Sequence, residues 1–357
     1  MQRKTLTFSS LIVALGLCCF SSHGALVDTA SYQLMEQKIT HKEYKKITSV
    51  LVNHQGKRIY EQYFNEGAKE YKNNVRSASK SITAILFGIA IEQGLFDSEH
   101  DKVLESFQDQ YPIAHLTEKK RNMTFQDLLM MNPPMECNDW NELSQGNEER
   151  MYLLEDWERF ALDLPNRGVP PWEPKAKDRP FGVAYSYCTA GVFLIGSAIA
   201  RKAGVGLDTF AQKYLFEPLN IQKVNWPYSP LGVAQGGGGL EIRSEDLIKI
   251  AELLLNNGSF NGNDLVNQQW VDSMLQERSL AMPERNIKYG YLWWVFEFEH
   301  QGKPVKAYAA AGNGGNYLWM VPQLQLTAVI TSTAFNTPYM HQQSWDIFEN
   351  TILKSIR

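Results

Sequence analysis

Arg76-Ser77-Ala78-Ser79-Lys80-Ser81 opens the apolar run Ile82 to Ile91, the stretch that most constrains how this chain can fold. A helix this apolar has no polar face to turn to water, so it belongs inside a core. The sequence predicts that it runs from Ser77 to Gln93, with Gly94 as a natural C-cap. Positions i and i+3 share one helix face, so the Lys80 amine can reach back to the Ser77 hydroxyl. Ser77 is the only serine in the chain with a lysine three residues on. A serine needs a neighbouring base to act as a nucleophile. A lysine supplies one only when burial or nearby cations hold its pKa down, and the Ile/Leu/Phe wall that follows offers that burial. The plainer reading makes Ser77 a helix cap and Lys80 an ordinary helix residue.

The N-terminus stands apart from the fold. Arg3 and Lys4 precede a short apolar segment, Leu6 to Phe20, and Ser22-His23-Gly24 offers small residues for cleavage. This pattern predicts a secretory signal peptide over residues 1–24, cut after Gly24, and a periplasmic or secreted protein. A lipoprotein site at Cys18 or Cys19 is disfavoured, because Leu17 is not small. No second long apolar run follows, so no stable membrane insertion is expected once the signal is removed. Cleavage leaves 33 basic against 39 acidic residues, a balance that disfavours a nucleic-acid partner. It also leaves two cysteines, Cys137 and Cys188. In an exported chain these fit one disulfide or two buried thiols.

Along the chain, residues 26–45 are polar and helical in part. Ile47 to Phe64 reads as a β-hairpin turning at His54-Gln55-Gly56-Lys57, with His54 on the surface. From about 97 to 225 the signal is helical: Thr124 to Met131 behind a Thr cap with Asp127 three residues on, Glu155 to Leu164, Thr189 to Ala203 closed by Gly204, and Leu207 to Leu215. Pro165 to Pro180 is a proline-rich irregular segment of the kind that often shapes a site. Gly236 to Gly239 lacks the Lys-Ser/Thr ending of a phosphate loop and reads as a sharp turn or a close backbone approach. Ser244 is placed as the cap of an amphipathic helix to Leu255, and Trp270 to Leu275 is a further helical piece. The last ninety residues read as strands at Tyr289 to Phe298, Val305 to Ala311, Tyr317 to Val321 and Leu326 to Ser332, then a helix from Ser344 to Ile356. The expected fold is α+β: an antiparallel sheet flanked by helices, built from residues 25–110 and 225–357, with a mainly helical domain inserted at 111–224.

Two further sites carry chemistry. Tyr187 and Thr189, two apart at a helix entrance, can both point into a cleft, where a phenol near Lys80 would relay protons. Locally, a core tyrosine and a Thr N-cap explain them as well. Gly312-Asn313-Gly314-Gly315-Asn316 lies between two strands; it is a hairpin turn, or an edge that presents an N–H to an oxyanion. No Gly-x-Ser-x-Gly elbow occurs. The seven histidines show no His-x-x-x-His pair, and no metal or cofactor is expected.

Ser77-x-x-Lys80, then Tyr187-x-Thr189 after 110 residues, then the glycine cluster 125 residues beyond Tyr187, occur in one order. This order resembles the serine β-lactamase and penicillin-binding-protein superfamily. It is most similar to the class C branch, with its family VIII-type esterases and aminohexanoate-dimer hydrolases. The stretches SASKSITAILFGIAIEQG, SYCTAGVFLIGSAIARKAG, GGGLEIRSEDLIKIAELLLNNG and YGYLWW…GNGGNYLWMVP also look like that family's landmarks. The resemblance covers residues 40–355. It implies that Ser77 is acylated, that Lys80 deprotonates it and that Tyr187 shares the proton work. Thr189 would stand where the family usually has Asn or Ser. The Ser77 N–H and one N–H from Gly312, Asn313, Gly314 or Gly315 would form the oxyanion hole. A Cys137–Cys188 bridge, if formed, would stand near the cleft.

The chain also departs from that pattern. The family's third motif carries Lys or His before Ser/Thr-Gly, and here Ala310-Ala311-Gly312 has no cation to hold a substrate carboxylate. That favours an esterase or amidase acting on a small-molecule ester, amide or peptide over a β-lactamase or DD-peptidase. Met130 to Met135 is unusual and is expected to alter the cleft wall. Glu136, Asp139, Glu142, Glu148 and Glu149 are expected to rim the cleft or to be an ordinary solvated face. A non-catalytic binding protein on the same fold is the remaining alternative, opposed by the presence of Ser77, Lys80 and Tyr187 together.

Overall fold

The computed structural model describes residues 29–168, 185–222 and 224–356. The expected signal peptide, with Cys18 and Cys19, lies outside the described residues, as does most of the proline-rich stretch.

Among the described residues the strands are β1 (Ile47–His54), β2 (Lys57–Tyr63), β3 (Lys72–Asn74), β4 (Glu241–Arg243), β5 (Ser259–Phe260), β6 (Asn263–Asp264), β7 (Ser279–Met282), β8 (Ile287–Tyr289), β9 (Trp294–His300), β10 (Lys303–Gly312), β11 (Asn316–Val321) and β12 (Leu326–Ser332). Eight of them form one antiparallel sheet in the order β2-β1-β12-β11-β10-β9-β8-β7. The N-terminal hairpin joins the C-terminal meander where β1 pairs β12, with Val50 opposite Ile330 and Val52 opposite Ala328. The α+β architecture with a sheet made from both ends of the chain is the one expected.

β1, β11 and β12 are buried along their whole length, because helices cover both faces of the sheet. On one side Trp319 stacks on Phe348 of the C-terminal helical segment at 4.1 Å, and the Tyr32 ring of helix Thr29–Thr40 stacks on Tyr60 at 4.2 Å. Helix Ser244–Leu255 packs against β1, β11 and β12.

The apolar run forms helix Ser79–Glu92, preceded by one turn over Arg76–Ala78. Ile82, Ile85, Leu86, Phe87 and Ile89 are all buried, each contributing about 1.5–3 kcal/mol of apolar burial. Trp270 lies across Gly88, where a Cβ would come within 2.1 Å of its indole, and donates Nε1–H to the Ala84 carbonyl. Thr124 and Asp127 form the expected capping box, and helix Thr189–Ala203 ends at a left-handed Gly204. Among the described residues no single helix is long and apolar enough to cross a membrane.

Some expectations are corrected. Tyr289 to Phe298 is not one strand: it breaks between β8 and β9, where Tyr291 N–H bonds the Met274 carbonyl and Leu292 N–H bonds the Leu129 carbonyl, exchanging ladder bonds for bonds to helical segments. β7 was not expected, since Ser279-Leu280-Ala281-Met282 has no β-branched residue. The Ser244 hydroxyl does not cap its helix. Arg243 is the N-cap, and the hydroxyl bonds Ser49 and Asn73 beside the sheet. His54 is buried rather than on the surface, with its pKa lowered chiefly by that burial. The last helix starts earlier, at Met340.

Lys120 is fully buried, and its ammonium donates to the carbonyls of Ala114, Leu162 and Leu164 at 3.0, 2.7 and 2.6 Å. Burial lowers its pKa to about 8, and Asp163 opposes the shift. Lys120→Met keeps the packing but leaves three buried carbonyls without a donor. The expected loss is about 3 kcal/mol or more in denaturant unfolding, and a variant as stable as the parent would refute the staple.

Candidate active site

The chain reaches Ser77 through a strained turn. Asn74 Oδ1 accepts the Arg76 N–H at 3.1 Å, and Arg76 adopts a left-handed backbone with φ 52°. That conformation costs a residue with a Cβ about 1–2 kcal/mol. The turn leaves Ser77 part-exposed while Ala78 to Ala90 behind it are buried.

Lys80 Nζ stands 3.0 Å from Ser77 Oγ and donates to the Gly237 carbonyl. Its side chain is 1% exposed. Burial holds its pKa below the usual lysine value, against the carboxylates of Glu148 and Asp139, which raise it. The amine also lies 4.9 Å from the centre of the Tyr187 ring. The Tyr187 hydroxyl is hydrogen-bonded to Ser77, and burial pushes its pKa well above the usual tyrosine range, so at neutral pH it is a neutral phenol. Ser77, Lys80 and Tyr187 are thus brought together as a part-exposed hydroxyl, a buried amine and a neutral phenol.

β10 ends against this group. A Cβ on Gly312 would lie 2.0 Å from the Val75 carbonyl oxygen, so only glycine admits the strand so close to the Ser77 turn. Asn313 follows, its side chain held away by two bonds to Asn336 and its carbonyl held by Asn316 Nδ2. Gly312 and Asn313 line the cavity beside Ser77. Gly314 and Gly315 instead make the turn at φ 91° and 84°, with their N–H groups bonded to Met340 Sδ and the Gly312 carbonyl. Thr189 is fully buried, and its N–H donates to Asp139 Oδ2 at 2.7 Å. It does not line the cavity.

The cavity measures about 370 Å³. Its walls are aromatic: Trp140, Trp294, Phe296, Tyr317 and Trp345. Among the described residues none that lines it is Lys or Arg. Trp345 Nε1–H donates to Tyr317 Oη, leaving the phenol to donate to His341 Nδ1, each at 2.8 Å. Burial pushes His341 down to about 4, so it is neutral. A second recess of about 300 Å³ meets Ser77 from another side, with Arg76, Gln235 and Asn336 on its wall.

Of the five acidic residues, Asp139 and Glu148 line the cavity and Glu149 lines the recess, whereas Glu136 and Glu142 line neither. Burial, and then Glu148, push Asp139 up to about 6. The Met130–Met135 segment is not the cleft wall. Met131 and Met135 are buried, and Met131 supports Ser186 and Cys188 from behind through its carbonyl and sulfur. Cys137 and Cys188 are bridged. Sequence reasoning missed the Gly237 carbonyl, because every residue has one. It also missed the cavity roles of Trp294, Phe296, Tyr317 and His341, which read there only as strand and helix residues. Among the described residues no cluster is placed to hold a metal.

The chain belongs to the beta-lactamase family, a family of hydrolases: the family model so described matches residues 48–350. It is 23% identical over 160 residues to the 6-aminohexanoate-dimer hydrolase of Paenarthrobacter ureafaciens, a match spanning 42% of this chain and 39% of that relative. Its fold is similar to that of EstCE1, a hydrolase with promiscuous acyltransferase activity (TM-score 0.67, 15% identity, 89% of this chain and 98% of that one). It is also similar to a family VIII carboxylesterase (0.63, 13%, 89% and 96%) and to a penicillin-binding-protein homologue from Caulobacter crescentus (0.66, 15%, 92% and 98%).

Two outcomes follow from the buried amine. A neutral Lys80 is bare only above its lowered pKa, so kcat/KM rises with pH through that value. Glu148→Gln removes a charge that raises it, and the acid limb of a pH–rate profile should move to lower pH; a shift upward would contradict the assigned field. The unfolded chain holds the Lys80 proton up to the ordinary lysine value of 10.5. Stability from this group therefore rises with pH between the lowered and the ordinary pKa. Lys80→Met should remove that slope and raise the unfolding midpoint at neutral pH while turnover is lost.

Proposed function

We propose that this protein is an exported serine hydrolase, an esterase or amidase that works through an acyl-Ser77 intermediate. The observation that carries the reading is Ser77 Oγ, part-exposed at the floor of a cavity, 3.0 Å from a buried Lys80 amine and hydrogen-bonded to Tyr187. Lys80 takes the Ser77 proton as Oγ attacks the substrate carbonyl. The Ser77 and Asn313 N–H groups hold the oxyanion. Tyr187, a neutral phenol, delivers a proton to the leaving group and is recharged from Lys80. Water then releases the acid by the same steps in reverse roles.

Among the described residues the aromatic cavity is lined by two carboxylates and by neither Lys nor Arg, which supports neutral or cationic substrates over anionic ones. It also supports an esterase or amidase over a β-lactamase or DD-peptidase, whose substrates carry a carboxylate. The Cys137–Cys188 bridge and the signal-like N-terminus support an oxidising compartment, periplasmic or extracellular.

The test compares the protein lacking residues 1–24 with its Ser77→Ala variant on a short-chain p-nitrophenyl ester and a chromogenic cephalosporin. Ester turnover should fall at least about 1000-fold in the variant, with little cephalosporin turnover by either protein. Rapid cephalosporin hydrolysis would move the assignment to the β-lactamases. Ester turnover unchanged in Ser77→Ala would overturn the nucleophile, and no turnover with no acyl adduct on Ser77 by mass spectrometry would favour a binding protein.

A further inference from the structure

Segment 137–148 is tied to the Tyr187 turn at each successive residue. Ser186 Oγ donates to the Cys137 carbonyl, and Cys188 is bridged to Cys137. Asp139 N–H donates to the Tyr187 carbonyl at 2.9 Å. The Asp139 carboxylate accepts Thr189 N–H on Oδ2 at 2.7 Å and Glu148 N–H on Oδ1 at 3.0 Å. Trp140 then stacks on the Tyr187 ring, with centroids 5.5 Å apart and planes 8° from parallel. Asp139 therefore grips Tyr187 on both sides: its backbone holds the Tyr187 carbonyl, and its side chain holds the N–H two residues on.

We propose that Asp139 is the positioning residue for Tyr187: its carboxylate, bridging the Thr189 and Glu148 N–H groups, fixes the tilt of the Tyr187 turn and so keeps the phenol on Ser77 Oγ. The proposal rests on the serine-hydrolase reading. The disulfide and the carbonyl bonds set the path of the chain, and the carboxylate locks its rotation. Two N–H donors need two acceptor oxygens, which a carboxylate has and an amide does not. Thr189 is also the first residue of helix Thr189–Ala203, so the anion sits at the positive end of that helix dipole. A proton donor displaced by about 1 Å loses on the order of 100-fold in rate, which makes this bracing a catalytic matter and not only a structural one.

The experiment is a double-mutant cycle on the p-nitrophenyl ester with Asp139→Ala, Tyr187→Phe and the pair, alongside Asp139→Asn and Ser77→Ala. Asp139→Ala should lower kcat about 100-fold with KM changed less than about threefold, and Asp139→Asn should fall between it and the parent. In the Tyr187→Phe background the same Asp139→Ala change should cost less than about threefold, because the group it positions is gone. Equal losses in both backgrounds, or unchanged kcat in Asp139→Ala, would overturn the proposal; a lower unfolding midpoint alone would not support it. Should Asp139→Ala fail to fold, the cycle runs on Asp139→Asn with the same criteria. Ser77→Ala separates the two readings. Turnover surviving in it fails the hydrolase itself, whereas turnover lost in it together with an additive cycle fails only the role of Asp139.

Discussion

The structure turns on one costly interaction, a lysine amine held out of water beside a serine. Burial disfavours the charged ammonium and lowers its pKa, toward the state a base requires. Nothing in helix Ser79–Glu92 alone achieves it, since a lysine near a helix start normally reaches solvent. Two distant segments close over it. The Gly237 carbonyl takes a hydrogen bond from the amine, the Tyr187 ring covers it, and Gln235 Oε1 holds the Gly237 N–H at 2.8 Å. The glycine run that brings Gly237 there has little room for side chains. A Cβ at Gly236 would meet Thr83 Oγ1 at 3.0 Å, and one at Gly237 would meet Thr189 Cγ2 at 2.8 Å.

The sheet supplies the opposite wall by the same kind of close approach. β10 and β11 are in register up to Gly312 opposite Asn316. Asn316 then ties the turn to β12, donating to the Asn313 and Ser332 carbonyls and accepting the Ser332 N–H. A turn so fixed has one freedom fewer to lose on binding, which suits the role proposed for the Asn313 N–H, to meet an oxyanion without reorganising. The strain at Arg76 and the close contact at Gly312 meet at Ser77 from either side. Both are tolerated because Ser79 to Ala90 of the helix and Ala309 to Gly312 of β10 are buried behind them.

Sequence periodicity revealed those buried frames. The run Ile82 to Ile91, the Thr124/Asp127 cap, helix Thr189–Ala203 with Gly204, and the strands from Val305 onward all announce themselves through side-chain pattern. The reading failed where backbone or tertiary bonds decide. The break between β8 and β9 exists because residues 291 and 292 bond helical segments, and no local preference encodes that. Ser244 has the right type and place for a cap, yet the hydroxyl of Ser49 is a nearer partner. Ser77 and Lys80 were legible as a pair because their spacing places them on one helix face, whereas Tyr187 joined them only through the family resemblance. Asp139 was legible only as one charge among five, because its meaning lies in two N–H groups, one nine and one fifty residues away.

The missing cation near the end of β10 has a physical counterpart in the rest of the cavity. A binding surface for an anionic group needs fixed positive charge in a dry site, and here Ala310 and Ala311 occupy the places where it would stand. Among the described residues lining the cavity the one ionisable side-chain nitrogen, on His341, is kept neutral by burial. Across the cavity Asp139 and Glu148 add negative field. That field also bears on Lys80, raising the pKa that burial lowers, so the carboxylates that disfavour an anionic substrate also oppose the state of the proposed base. The two demands are compatible only while desolvation dominates, which is its rank among the causes acting on Lys80.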